Sequence, residues 1–159
     1  MIGTMARPAL IMAALLLLAV PVQGETQAER DKRAEYRLLA ETICAWETRG
    51  ELDPQNAIGL AGEIGWCQMK PRTAKMIGVL VSDLVHKDRG RAVQAAIVKL
   101  KFCAKRGWHG TYWGAHCYNG GPWAKRGDAA RYTKQIAILH APRRLHWLME
   151  RSRIRLARR

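Results

Sequence analysis

The segment from Ile43 to Gly78 constrains the fold most, because a carboxylate there continues an apolar helix stripe. Upstream of Glu47, five apolar residues recur at helical spacing: Tyr36, Leu39, Ala40, Ile43 and Cys44. Glu47 stands four residues after Ile43, so it lies on the same stripe. Burial disfavours the ionised form of a carboxyl group, which raises its pKa and keeps it protonated near neutral pH. Gly50 is a natural helix stop, so the helix should present Glu47 at the rim of a cleft.

The simpler alternative is a glutamate at a helix end that turns to solvent. For an isolated glutamate this would be the better interpretation, because glutamate is rarely buried. The residues that follow Glu47 favour the interpretation of this residue as a buried acid at a cleft. A glycine-rich stretch, GEIGWCQM, begins at Gly62, and KPRTA follows directly from Lys70.

Together these residues resemble the soluble lytic transglycosylase family, which shares its fold with goose-type lysozyme. The family pattern is Glu-Ser, a loop with Asn-Pro, then Gly-x-x-Gly-x-x-Gln-x-x-Pro-x-Thr-Ala. The matching positions here are Glu47-Thr48, Asp53-Pro54, Gly62, Gly65, Gln68, Pro71, Thr73 and Ala74. Departures from the family include Thr48 for Ser, Glu63 for Ala, Trp66-Cys67 for an apolar pair, and Gly120 for Ala.

A second part of the resemblance is CYNGGP, from Cys117 to Pro122, where the family has Ala-Tyr-Asn-Ala-Gly-Pro. Read locally, this stretch is a helix terminator. A weaker match is Tyr132, which resembles a late family tyrosine near the catalytic carboxyl, although a tyrosine on such a helix face is often only core packing. The resemblance covers about residues 42–136.

The resemblance implies a mainly α, lysozyme-like helical domain with a very short β element next to the active-site cleft. It implies a peptidoglycan lytic transglycosylase with Glu47 as the single acid/base, without a metal or cofactor. The implied sugar contacts are Thr48, Gln68, Met69, Tyr118, Asn119 and Tyr132. The alternatives are a lysozyme-like muramidase, which normally needs a second carboxylate, and a non-catalytic, cationic peptidoglycan-binding module.

Residues 1–24 predict a secretory signal peptide. Arg7 precedes an apolar run from Ala9 to Val20, and small residues Val22 and Gly24 occupy the cleavage-site positions. An uncleaved anchor is the alternative, although the apolar run is short for a membrane span. The expected division is a domain over residues 25–142 and a basic segment over residues 143–159. The expected location is the periplasm, or the extracellular space, after export across the inner membrane.

The chain has 27 basic and 13 acidic residues, a formal net charge of +14. Such a charge favours an anionic partner. For an exported protein, peptidoglycan and associated wall polymers fit better than nucleic acid, because no zinc-finger or RNA-binding signature is present. Residues 143–159 contain seven arginines and one acid. They are expected to hold the protein on an anionic wall or membrane surface, or to fold back on the domain as a solvated tail.

Four cysteines fit an oxidising compartment and two disulfides, and three pairings are possible. The favoured pairing is Cys44 with Cys67 and Cys103 with Cys117, which ties the catalytic helix to the glycine-rich segment. Four buried free thiols are the alternative. The cysteine spacings and the five histidines show no metal-ligand pattern.

The remaining pattern predicts mostly helices. The predicted helices are 27–48, 73–79 with Pro71 in its first turn, 88–105, 112–118, and 129–140 with Asp128 as cap and Pro142 as its end. A short strand is predicted over residues 64–69. In it, Trp66 and Gln68 share one face and Cys67 lies on the other.

Overall fold

The fold is mainly α, as the sequence predicts. The computed structural model describes residues 24–125 and 129–156, so all but the last residue of the predicted signal peptide (residues 1–24) and the predicted cap Asp128 lie outside the described residues. The helices in these ranges are α1 Gln27–Glu47, α2 Pro71–Met76, α3 Val81–Leu84, α4 Arg89–Ala104, α5 Gly110–Gly120 and α6 Ala130–Leu156.

Helix α1 begins with a capping box and carries the core stripe that the sequence predicts. The Thr26 hydroxyl accepts from the backbone of Glu29, whose carboxylate in turn accepts from the backbone of Thr26. The stripe residues Leu39, Ala40, Ile43 and Cys44 are buried. Helices α4 and α6 both pack on α1, and α5 packs on α4 and α6. The last turn of α1 therefore ends inside the domain, with Glu47 as its final residue.

The strand predicted over residues 64–69 is wrong. Within the described residues the β structure consists of two isolated bridges, in which Ile64 pairs with Ile58 and with Met69. The chain reverses between Ile64 and Met69 because Gly65 and Gln68 take left-handed backbone angles, with φ of 72° and 44°. An extended strand cannot contain two such residues. The segment is a tight loop, which we call the Gln68 loop (residues 57–70).

Gly65 fixes this loop against the end of α3. A Cβ atom at Gly65 would lie 1.9 Å from the carbonyl oxygen of Leu84, so no larger residue fits. The neighbouring Trp66 donates its backbone N–H to the same carbonyl at 3.3 Å. Its indole N–H donates to the carbonyl of His86 at 3.0 Å, and the ring packs against the core. Trp66 therefore anchors the loop to the domain.

The predicted helix end at Pro142 is also wrong, because α6 continues to Leu156. Proline removes the hydrogen bond to the carbonyl four residues earlier. Here that carbonyl belongs to Ile138, which is 67% exposed, so water can reach it. Although α6 has 27 residues, none of the helices in the described ranges is long and apolar enough to cross a membrane.

The described part of the basic segment lies along α1. Arg144 pairs with Glu35 at 2.9 Å, and Arg151 pairs with Asp31 at 2.5 Å. Arg143 also donates to the hydroxyl of Thr42 at 3.3 Å. Exposed ion pairs of this kind contribute little individually. They nevertheless show that the second half of α6 folds back on the domain rather than leaving it.

Both predicted disulfides are confirmed. Cys44–Cys67 joins the last turns of α1 to the Gln68 loop, and Cys103–Cys117 joins α4 to α5. No described cysteine is free. The first bridge connects two of the segments that carry the sequence motifs, and the second connects the third such segment to α4.

Candidate active site

A cleft of about 770 Å³ collects most of the motif residues. Its walls come from the end of α1, the Gln68 loop, the C-terminal half of α4, and the end of α5 with the turn after it. The lining includes Glu47, Glu63, Gln68, Lys70, Lys99, Phe102, Tyr118, Asn119 and Trp123. Among the described residues, the structure thus brings together segments that are up to 76 positions apart in the sequence.

Glu47 is the partly buried acid of this cleft. The hydroxyl of Tyr132 donates to its Oε1 at 2.6 Å. Burial raises the pKa of Glu47 above its ordinary value, and the nearby carboxylate of Glu63 adds to this. The Tyr132 hydrogen bond and the charges of Lys99 and Arg49 act in the opposite direction, but burial outweighs them. Glu47 therefore has the raised pKa that its place on the stripe predicts.

The position of Glu47 depends on the disulfide one turn earlier. Cys44 precedes Glu47 by three residues and is bonded to Cys67 in the Gln68 loop. The hydroxyl of Thr48, the next residue, donates to the carbonyl of Cys44 at 2.9 Å and caps the helix end. Thr48 is not among the residues that line the cleft. Its hydroxyl is thus engaged with the helix, whereas the resemblance implies a contact with the sugar.

Gln68 lines the cleft from a left-handed backbone position. Its Nε2 donates to the carbonyls of Ala57 at 3.2 Å and Gly65 at 3.0 Å, which holds the loop closed. Its Oε1 lies over Gly59, where an added Cβ would be 2.6 Å from it. A non-glycine residue with positive φ persists only where its surroundings fix it, and such residues cluster at functional sites. The amide oxygen remains able to accept a hydrogen bond from a ligand.

Met69 does not take the position that the resemblance implies. Its side chain is 0% exposed and belongs to the hydrophobic core. The bridge between Ile64 and Met69 closes the Gln68 loop at this residue, and the side chain is left inside the domain. Met69 therefore has no surface with which to contact a sugar.

Tyr118 and Asn119 stand at the end of α5 and both line the cleft. The Tyr118 hydroxyl donates to the carbonyl of Cys67 at 3.0 Å, and burial raises the pKa of this phenol. Asn119 is exposed. Gly120 leaves little room for a side chain, because an added Cβ would lie 2.6 Å from the Cβ of Ala124.

Glu63 is the second carboxylate in the cleft, and its environment differs from that of Glu47. Partial burial acts to raise its pKa, but hydrogen bonds from its own backbone and from Ala61, together with Lys70, lower it below the ordinary value. The Ala61 N–H lies 3.0 Å away and the Lys70 ammonium 3.5 Å away. The two carboxylates therefore differ in electrostatics: the pKa of Glu63 is lowered, whereas that of Glu47 is raised.

Tyr132 reaches the site as the hydrogen-bond partner of Glu47, and it is not among the cleft-lining residues. Burial raises its pKa well above the ordinary tyrosine value, and the charge of Glu47 raises it further. Tyr132 thus lies beside the carboxyl of Glu47. The implied direct contact with the sugar is not visible in the lining of the cleft.

Sequence reasoning missed several side chains of the cleft, among them Lys99 and Trp123. The pattern around Lys99 predicted only a helix over residues 88–105. Lys99 precedes Cys103 by four residues, so the predicted Cys103–Cys117 bridge already indicated that this face of α4 meets the YN motif. Trp123 is 75% exposed on the turn after α5. No sequence pattern distinguished it from an ordinary surface tryptophan.

Comparison with protein-family models, with curated proteins and with solved structures gave no match. The fold and the site define a coarse class: a mainly helical domain with two disulfides and a partly buried acid in an open cleft. The lytic transglycosylase family remains a prediction from the motifs.

Proposed function

We propose that this chain is a peptidoglycan lytic transglycosylase that cleaves the bond between N-acetylmuramic acid and N-acetylglucosamine. The observation that supports this most is the pair Glu47–Tyr132. A glutamate with a raised pKa faces a cleft and is held by a short hydrogen bond. A general acid for a glycosidic oxygen must be protonated before reaction, and burial provides that state.

In the proposed reaction, Glu47 donates its proton to the glycosidic oxygen as the bond to the muramic acid anomeric carbon breaks. The acetamido group of the substrate supports the developing cation. Glu47 is now ionised, and it removes the proton from a hydroxyl of the same muramic acid, which attacks the anomeric carbon and closes the anhydro ring. One acid/base therefore serves both steps.

The surroundings of Glu47 suit this double role. Protonated Glu47 is favoured by burial, and ionised Glu47 is stabilised by the Tyr132 hydroxyl and the positive charge of Lys99. The sugar would contact Asn119, the Oε1 of Gln68 and the exposed ring of Trp123, which all line the cleft. An exposed aromatic ring in a cleft provides a flat apolar face for one face of a sugar.

A muramidase is the second candidate, and Glu63 is the observation that favours it. A hydrolase normally uses an ionised carboxylate together with the acid. Glu63 lines the same cleft and has a lowered pKa. Its ion pair with Lys70 and its position on the Gln68 loop give it a structural role as well, so we rank the hydrolase second.

The deciding experiment is mass spectrometry of the muropeptides released from purified wall sacs. The anhydro product is one water lighter than the hydrolytic product, so the mass distinguishes the two enzymes. Glu47→Gln should abolish release, while Glu51→Gln, an exposed neighbour of the same chemistry, should leave it intact. Glu63→Gln should keep the anhydro product. Products that contain the added water, lost in Glu63→Gln, would establish the muramidase instead.

The non-catalytic binding module is tested by the same proteins. If the wild type releases no muropeptides and Glu47→Gln sediments with wall sacs as well as the wild type does, the chain binds without cleaving. The two disulfides are compatible with an exported protein. We extend the proposal to the periplasm or the extracellular space, with peptidoglycan strands as the partner.

Attachment to an anionic wall or membrane surface is proposed for the second half of α6. Arg143, Arg144 and Arg151 bond to α1. Large apolar side chains nevertheless remain exposed beside them: Leu145, Leu148, Met149 and Ile154. A helix that exposes apolar and basic residues together suits an anionic interface.

A further inference from the structure

Lys99 places a positive charge in the wall of the cleft. It stands on α4, and its Nζ lies 3.9 Å from the centroid of the Tyr118 ring. Within the part of the chain that the structure describes, no carboxylate oxygen lies within 4.0 Å of this ammonium nitrogen. It lies over the face of an aromatic ring, which compensates a half-buried ammonium only in part.

The charges around Lys99 do not balance it. Burial lowers the pKa of Lys99 to about 8, while Glu47 and Glu63 act to raise it and Lys70 acts to lower it. Burial raises the pKa of Glu47 and so opposes its negative charge, and Glu63 already pairs with Lys70 at 3.5 Å. Arg72, which also lines the cleft, adds another positive charge. The charged side chains that line the cleft are three cations, Lys70, Arg72 and Lys99, and two carboxylates, Glu47 and Glu63, so positive charge is in excess.

From this geometry we infer that Lys99 binds a carboxylate of the substrate strand and thereby selects carboxylated glycans over neutral ones. The inference rests on the proposed function for the kind of polymer, and adds the group that is recognised. In a peptidoglycan strand a carboxylate comes either from the lactyl group of a peptide-free muramic acid or from the stem peptide. A chitin-type oligosaccharide has neither.

A purely electrostatic role beside Glu47 is the competing account. In that case Lys99 would change the titration and reactivity of Glu47 toward every glycan, and would not change which glycan binds. Measuring binding in a Glu47→Gln background separates the two accounts, because nothing is cleaved and Glu47 no longer titrates.

The test compares three probes by isothermal titration calorimetry against full-length mature protein with Glu47→Gln. The probes are a neutral N-acetylglucosamine tetrasaccharide, a peptide-free muramyl tetrasaccharide, and the same muramyl tetrasaccharide with stem peptides. The variants are Lys99→Met, Lys99→Arg and, as a matched control, Lys101→Met. Lys101 stands on the same helix but is exposed, so its replacement changes the net charge equally. Thermal unfolding of each variant checks the fold.

Lys99→Met should weaken binding of the carboxylated probes about tenfold or more, the loss expected for one charge-assisted hydrogen bond. Binding of the neutral probe should be unchanged. Lys99→Arg should retain most of the affinity, and Lys101→Met all of it. A loss with the peptide-free probe assigns the lactyl carboxylate, whereas a loss confined to the peptide-bearing probe assigns the stem.

Equal losses on all three probes, or no loss on any, would overturn the inference. If Lys99→Met does not fold, the pH dependence of the background protein decides the matter. The pKa of Lys99 is about 8 with Glu47 present, and Glu47→Gln removes a charge that raises it. Affinity for the carboxylated probes should therefore fall as the pH rises toward 8, while affinity for the neutral probe should not. Equal pH dependence for all probes would also refute it. If no probe binds and the wild type releases no muropeptides, the proposed function is refuted, and the inference that rests on it is refuted as well.

Discussion

The hydrogen bond between Tyr132 and Glu47 gives the sharpest prediction about the chemistry of the cleft. Replacing Tyr132 with Phe removes one hydroxyl whose oxygen lies 2.6 Å from Oε1 of Glu47. Burial of the carboxyl raises the pKa of Glu47, and this hydrogen bond is the largest of the effects that oppose it. Tyr132→Phe should therefore raise the pKa of Glu47 further and make it a weaker acid.

The size of the effect follows from the two protonation states. A hydrogen bond to a charged group contributes about 1.5–3 kcal/mol, and one between neutral groups about 0.5–1.5 kcal/mol. Ionised Glu47 thus loses about 1–1.5 kcal/mol more than protonated Glu47 when the hydroxyl is removed. Proton donation in the proposed reaction creates the ionised form. Since about 1.4 kcal/mol corresponds to a factor of ten in rate, kcat should fall about tenfold.

The assay is the pH profile of muropeptide release, together with a direct titration of Glu47 by carbon-13 NMR. Tyr112→Phe is a suitable control, because Tyr112 is an exposed tyrosine on α5 and does not line the cleft. Tyr132→Phe should lower kcat and move the alkaline limb of the profile to higher pH. An unchanged kcat, or an alkaline limb that moves to lower pH, would refute the role of Tyr132.

Three further predictions concern stability and attachment. Burial raises the pKa of Glu47 above 4.5, so folding opposes its ionisation. Glu47→Gln should therefore increase the free energy of unfolding at pH 8, and the gain should disappear below pH 4.5 in calorimetry. Cys44→Ser should lower the free energy of unfolding by about 3 kcal/mol, because the bridge spans 23 residues; a non-reducing peptide map that joins Cys44 to Cys117 would contradict this. Deleting residues 143–159 should weaken sedimentation with anionic vesicles at low salt, by about 1 kcal/mol for each basic side chain at the surface. Unchanged binding, or an unfolded product, would show that the segment is structural.

The bounds of a helix could be predicted where a capping residue and an apolar stripe mark the same segment. The predicted bounds of α1 and α4 lie within one residue of the observed ones, because Thr26 and Asp88 cap their starts. The secondary-structure prediction failed where tertiary contacts determine the backbone conformation. Gln68 has a positive φ that no sequence rule assigns to glutamine, and it turned a predicted strand into a loop. The helix passes Pro142 because the carbonyl that loses its partner belongs to the exposed Ile138.

The candidate site was predictable only in part, for a related reason. The place of Glu47 on a helix stripe follows from local periodicity, so its burial and raised pKa could be predicted from the chain alone. The approach of Tyr132, which is 85 residues away, followed only from the family motif. Lys99 was missed because a single lysine on a helix that packs in the core gives no periodic signal. Met69 was assigned wrongly because a motif position does not determine which way a side chain points.

The two disulfides explain why an open cleft in a small domain can hold its groups in place. Cys44–Cys67 fixes the turn before Glu47 to the residue before Gln68, and Cys103–Cys117 fixes α4 to the residue before Tyr118. The hydroxyl of Tyr118 then donates to the carbonyl of Cys67, which connects the two bridged regions across the cleft. Each cysteine is next to, or within a turn of, a side chain that the proposed function uses. The covalent bonds therefore act where chemistry needs fixed geometry.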